Sequence, residues 1–246
     1  MKNQFPILSV FLLAAFTILL SGCQKKQERG NGLPFTIEVF AVDPAPLNKA
    51  FKIVTPKPEE VVEDDVEVYF SAAGFDISED RFHLHFILDD GEVIEHTDSN
   101  SPVKLENLSN GPHIIRAFAV DENHLSIKSS RTFDMVQFYV KEAVGNMHID
   151  NSAPMLLLNV PSGTYDLGES ESVKLDFWLS NAQLGIFDYK VKYSLDGHEG
   201  EFELWKSFEI KNLSKGKHKL ILDLIDPNGK PVLGNFNHTI RTFVVK

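Results

Sequence analysis

Two histidines stand two residues apart in Phe82-His83-Leu84-His85-Phe86. If that stretch is a strand, Phe82, Leu84, Phe86 and Leu88 point one way and both imidazoles the other, about 7 Å apart. Imidazoles at that spacing suit a Cu or Zn ion once a third ligand arrives from a neighbouring strand. His96 follows close enough to supply it, as do Glu95 and Glu92. The corresponding residues in the second half of the chain are Lys190 and Lys192, so such a site would belong to the first half alone. The plainer reading is two solvated histidines on a sheet surface. That reading is preferred: no metal cofactor is expected, and a Cu or Zn site at His83, His85 and His96 is the sharper alternative.

Other residues invite similar weighing. Trp178 falls on the face of its strand opposite Phe177 and Leu179, beside Lys174 and Asp176. An exposed indole on a flat sheet stacks a sugar ring or a partner surface, whereas cover by another domain would make it structural. The parity of Trp205 is not fixed by the pattern. Asp89-Asp90-Gly91-Glu92 and Asp196-Gly197-His198-Glu199 read as hairpin turns, since neither has the alternating acids of a calcium loop. The chain has no Gly-Lys-Ser/Thr phosphate loop, no His-Glu-x-x-His and no Gly-x-Ser-x-Gly elbow. A non-catalytic protein is expected.

The elements that would position these residues come twice. Val103-Lys104-Leu105-Glu106-Asn107-Leu108-Ser109-Asn110-Gly111-Pro112-His113 recurs as Phe208-Glu209-Ile210-Lys211-Asn212-Leu213-Ser214-Lys215-Gly216-Lys217-His218, 105 residues later. Upstream the offset is 107, with Val66-Glu67-Val68-Tyr69-Phe70 matching Val173-Lys174-Leu175-Asp176-Phe177. The two-residue difference falls between Asp89 and Val103, where a hairpin can absorb it. A whole-domain duplication predicts one sandwich over 37–144 and a second over 152–246, after a tether over 23–36. Within each copy apolar residues alternate, as at Val173, Leu175, Phe177 and Leu179, which is the period of half-buried strands. The expected fold class is all-β: two tandem antiparallel sandwiches.

On these residues the repeats resemble immunoglobulin-like and fibronectin type III-like modules. Leu108/Gly111/His113 and Leu213/Gly216/His218 are similar to the approach to a tyrosine corner, with His in the place of Tyr. The resemblance implies a structural duty for His113 and His218: a ring that packs and donates a hydrogen bond to backbone. The disulfide pair and the strand-C tryptophan of many such modules are missing.

The chain opens with Met1-Lys2, continues with an apolar run over Ile7–Leu20, and reaches Leu20-Ser21-Gly22-Cys23. The run is about 14 residues, short of the roughly 20 that span a bilayer, and reads as a signal peptide over 1–22. Leu20-Ser21-Gly22-Cys23 resembles a bacterial lipobox, which implies cleavage before Cys23 and acyl chains, palmitate among them, on that residue. Two or more chains hold a protein stably on a membrane. Cys23 is the only cysteine, so thiol redox chemistry and cysteine-ligated metals are excluded. Gln24 rather than Asp follows it, which favours the outer membrane over the inner. From Cys23 onward the chain carries 23 basic and 35 acidic residues, net −12, a balance that repels nucleic acid. The acidic run Glu59–Glu67 reads as a solvated turn. Together these features predict a lipid-anchored cell-envelope protein acting as a binding or scaffolding module for a protein partner. A glycan-binding role through Trp178 and a periplasmic Cu or Zn role are the alternatives.

Overall fold

The computed structural model describes residues 34–41, 48–145, 150–168, 171–234 and 236–246. Cys23, the signal peptide and all but the end of the tether lie outside them. The described chain is all-β, with one short 3-10 turn at Ser130–Thr132. Strand β1 (Thr36–Phe40) is followed by β2 (Ala50–Thr55), β3 (Val61–Val62), β4 (Val66–Ala73), β5 (His83–Leu88), β6 (Val93–His96), β7 (Val103–Leu105), β8 (Gly111–Val120) and β9 (Phe133–Val140). The repeat then supplies β10 (Met155–Val160), β11 (Thr164–Tyr165), β12 (Val173–Ser180), β13 (Lys190–Leu195), β14 (His198–Phe202), β15 (Ser207–Lys211), β16 (Gly216–Ile225) and β17 (His238–Val245).

Each copy is an immunoglobulin-like sandwich. The first packs β2-β4-β7 against β3-β9-β8-β5-β6, and the second packs β10-β12-β15 against β11-β17-β16-β13-β14. In both, a two-residue edge strand, β3 or β11, runs parallel to the last strand, Val61 with Tyr139 and Thr164 with Val244. The length difference between the copies sits in the β5–β6 turn, Asp89–Glu92, against the two-residue turn Asp196–Gly197. Separate apolar cores hold the two sandwiches, one around Val68, Leu84, Ala117 and Phe138, the other around Leu175, Phe177, Leu222 and Phe243.

Two features depart from the sequence reading. Strand β1, placed at the start of the first sandwich, instead pairs antiparallel with β15, Thr36 opposite Lys211 and Phe40 opposite Ser207. Phe35 is buried in the second core, so the second sandwich, not the first, absorbs the chain's start. β1 also covers the open edge of that sheet, which would otherwise present unpaired backbone groups.

The second departure concerns faces. The outer face of β5 and β8 is closed against the outer face of β10 and β12, so strands expected to be half-solvated are covered on both sides. β10 is buried at every residue, Met155 through Val160. Ile114, Met155, Leu157, Trp178 and Phe236 form the apolar seam, with Phe133, Met135 and Trp205 against it. Burying a large apolar side chain is worth about 1.5–3 kcal/mol, so this seam fixes the two sandwiches to each other. Asp176, completely buried, is its polar hub. It accepts from Ser126 N at 3.0 Å, Asn159 Nδ2 at 2.8 Å and Ser207 Oγ at 2.7 Å, and pairs with Lys128 of the first sandwich.

Candidate metal centre

β5 pairs with β8 in the register His83–Val120, His85–Phe118 and Ile87–Arg116. This alternation puts both histidines on the seam side of the sheet, as parity predicted, but not in solvent: His83 is 3 % and His85 2 % exposed. On β6, Glu95 lies opposite His85 and His96 opposite Leu84. His96 therefore faces the core, where its Nε2 meets the Ser101 carbonyl at 3.1 Å and its ring packs edge-on against Phe70. It is not the third ligand. Glu95, one residue away and of the other parity, points at the pair.

The third imidazole is His124, from the turn after β8. Ligand atoms of His83, His85 and His124 all lie within 4.8 Å of one another. Sequence spacing hid His124, 39 residues from His85, yet the repeat carried a trace of it. The turn is Asp121-Glu122-Asn123-His124 here and Asp226-Pro227-Asn228-Gly229 in the second copy. Asp121 Oδ1 accepts from Asn123 N and Leu125 N, as Asp226 Oδ1 does from Asn228 N and Lys230 N. His124 has φ 59° where the second copy uses Gly229 at φ 75°. A side chain held at positive φ where glycine would serve marks a position kept for the side chain.

The hydrogen bonds settle where lone pairs point. His83 Nε2 donates to the Glu79 carbonyl at 2.8 Å. Its Nδ1 is buried and has no hydrogen-bond partner among the described residues, although Glu95 Oε1 lies 3.2 Å away. Asn159 spends its two N–H groups on the His124 carbonyl at 2.7 Å and on Asp176, so its oxygen must accept from His85 Nδ1, also at 2.7 Å. That fixes His85 with a bare Nε2, which faces His124 Nδ1 at 3.4 Å. Burial lowers the His85 pKa to about 4, against the opposing pull of the Asn159 hydrogen bond, so the ring is neutral at pH 7. Glu95 Oε2 is 3.7 Å from His124 Nδ1.

Three imidazole nitrogens and a carboxylate oxygen thus converge. The set matches zinc or Cu(II), which take such ligands at about 2.0–2.2 Å. Two nitrogens on one ion can be at most about 4.2 Å apart on that metric. The tetrahedral geometry of zinc sets them about 3.4 Å apart, so ligand atoms spread over as much as 4.8 Å have to close by more than about 1 Å. The member free to do so is the half-exposed His124 on its turn. Outer partners are already in place, the Glu79 carbonyl behind His83 and Asn159–Asp176 behind His85, the arrangement that orients metal-bound imidazoles. In the second copy the same sheet face carries surface ion pairs, Lys190 with Glu201 and Glu203, and Lys192 with Glu199.

No family model matches this sequence, and no curated protein matches it either. Among solved structures, the fibronectin(III)-like modules of Clostridium thermocellum CbhA align with 80 % of this chain and 94 % of their own at 16 % identity, TM-score 0.30. The central fibronectin-III array of RIM-binding protein aligns with 80 % of this chain and 68 % of its own at 12 % identity, TM-score 0.25. Three N-terminal domains of the bacteriophage RB49 outer capsid protein Hoc align with 81 % and 70 % at 11 % identity, TM-score 0.24.

The remaining candidates fall into place. Trp178 is 1 % exposed, stacked on Phe133 at 5.2 Å and Phe118 at 6.3 Å from the first sandwich and edge-on to Trp205. It is a seam residue, and the sugar-stacking reading falls with its exposure. His113 and His218 occupy matched corners. Their Nε2 atoms donate to the carbonyls of Ser109 and Ser214 at 2.7 and 2.8 Å, and their Nδ1 atoms meet Asp89 and Asp196 at 2.7 Å. Cys23 lies outside the described residues.

Proposed function

We propose that this chain is a lipid-anchored, non-catalytic envelope protein that binds a zinc or copper ion at the seam between its two sandwiches. The observation carrying this reading is the buried, unpartnered Nδ1 of His83 converging with His85 Nε2, His124 Nδ1 and Glu95. A buried polar atom without a partner is costly, and a cation between these four groups removes that cost. The lipobox-like Leu20-Ser21-Gly22-Cys23 supports the anchor. Calorimetric titration of the protein with Zn(II) and Cu(II), beside a His83→Ala/His85→Ala variant and a His124→Ala variant, tests it. Micromolar or tighter 1:1 binding lost in both variants is expected. Binding that survives both, or no binding in the parent, refutes the metal reading.

A second reading, a protein partner, rests on a different end of the molecule. Ile186 and Phe187, 68 % and 89 % exposed, lie in the loop before β13, and Leu233, 93 % exposed, lies in the loop before β17. Leu184 and Val232 of the same two loops pack on one core. In an immunoglobulin-like topology these loops share one end of the sandwich. Cross-linking from Phe187, compared with an Ile186→Ser/Phe187→Ser variant, tests whether this apolar end engages an envelope protein.

A further inference from the structure

A cleft of about 180 Å³ opens at the seam between the β5–β6 turn and β17, with none of His83, His85 and His124 in its lining. Two arginines line it, Arg116 of the first sandwich and Arg241 of the second. Arg116 is 4 % exposed, its Nε is buried without a hydrogen-bond partner, and its guanidinium lies over the Phe236 ring at 4.1 Å. No carboxylate among the described residues forms an ion pair with it. Arg241 is 8 % exposed, and its Nη1 also lacks a hydrogen bond, with Glu92 Oε2 at 3.6 Å from an otherwise exposed side chain. Burial draws Arg116 down to about 10, with the Asp90 and Asp89 carboxylates pulling the other way and the Arg241 cation adding to the lowering, which leaves it charged at neutral pH. Asp90 and Glu92 stand at the mouth, and His238 on the same rim is tied to Asp223 at 2.6 Å.

The repeat shows that the fold does not require either arginine. At the offset of 105, Arg116 corresponds to Ile221 and Arg241 to Val136. Each copy therefore builds the same position from an apolar residue when it is not part of this cleft. Two buried guanidiniums with unmet N–H groups, facing one cavity, are a receptor for an anion with several oxygens. The volume is several times the roughly 30 Å³ that one water occupies in the liquid, enough for a compact ligand.

We propose that this cleft binds a small oxyanion, a phosphate or carboxylate group, clamped between Arg116 and Arg241, with Glu92 as the internal competitor for Arg241. The site is separate from the histidine cluster and does not depend on it.

Full-length protein in non-ionic detergent, at fixed ionic strength set with chloride, would be titrated by calorimetry with inorganic phosphate, sulfate and acetate. Saturable 1:1 binding of at least one is expected, the phosphate and acetate arms distinguishing the two sources of the group. Arg116→Met and Arg241→Met should each abolish it, while Glu92→Gln, on the exposed rim, should tighten it several-fold. His83→Ala/His85→Ala should leave it unchanged. If the arginine variants fail to fold, the Glu92→Gln result decides. No saturable binding in the parent and in Glu92→Gln, or binding that persists in Arg116→Met and Arg241→Met, overturns the proposal.

Discussion

The side-chain oxygen of Asn159, in the second sandwich, accepts the Nδ1 proton of His85, in the first, at 2.7 Å. The same amide holds the His124 carbonyl and Asp176, so one residue orients two of the three imidazoles from across the seam. Outer partners of this kind typically contribute 10–100-fold to metal affinity. Asn159→Ala should weaken Zn(II) binding by about that factor while leaving every ligand in place, read by competition with a chromogenic chelator.

His85 also sets a pH dependence of the metal-free protein. Its pKa is about 4 in the fold and 6.5 as the ordinary value, so the unfolded chain binds the proton more readily. Stability is therefore full above about pH 6.5 and declines as pH falls toward 4, by about 3 kcal/mol in all. Urea unfolding in the presence of a chelator, compared with His85→Gln, should show the parent losing more stability over that window. Parallel curves would contradict it.

Lys128 and Asp176 form a buried ion pair that joins the sandwiches. Removing one member of such a pair costs about 3–5 kcal/mol, because the other charge is left buried alone. Asp176→Ala should show that loss in denaturant unfolding. Lys128→Met with Asp176→Leu should be more stable than Asp176→Ala, since no unpaired charge remains.

Trp178→Ala should cost about 3–5 kcal/mol by opening a void between Phe118, Phe133 and Trp205. In a Trp205→Phe background, Trp178 fluorescence should resist iodide quenching until the sandwiches come apart. Ready quenching in the native protein would place the indole in solvent.

His124→Gly separates stability from binding. It restores the residue that the second copy uses at this turn, so the metal-free fold should stay within about 1 kcal/mol of the parent. Metal affinity should drop sharply, measured by the same titration.

The sandwiches were legible because each core face follows a strict period of two and the whole pattern is written twice. The four-residue Asp89–Glu92 turn against two-residue Asp196–Gly197 follows directly from the change of offset. The seam was readable in principle as well. Met155-Leu156-Leu157-Leu158 is continuously apolar, as is most of Ile114–Val120, which is the pattern of strands covered on both faces. The matching stretch of β16 alternates, with Lys219 and Asp223 on its open side. The parity of β12 places Trp178 and Asp176 on the face away from the core and leaves both solvent and cover by another domain open, because parity gives the face of a strand and not what covers it. His83 and His85 were found from spacing within one strand. His124, Asn159 and the correct choice of Glu95 over His96 depend on register and on a second domain, which no local pattern encodes.

Strand β1 lies antiparallel to β15 over five residue pairs, and the chain then leaves it to build the first sandwich before returning to build the second. A pull applied upstream of Thr36 therefore reaches the carboxy-terminal sandwich first. It loads the β1–β15 ladder before the first strand of the amino-terminal sandwich. Only when those five residue pairs separate does the same pull pass along the chain to the first sandwich.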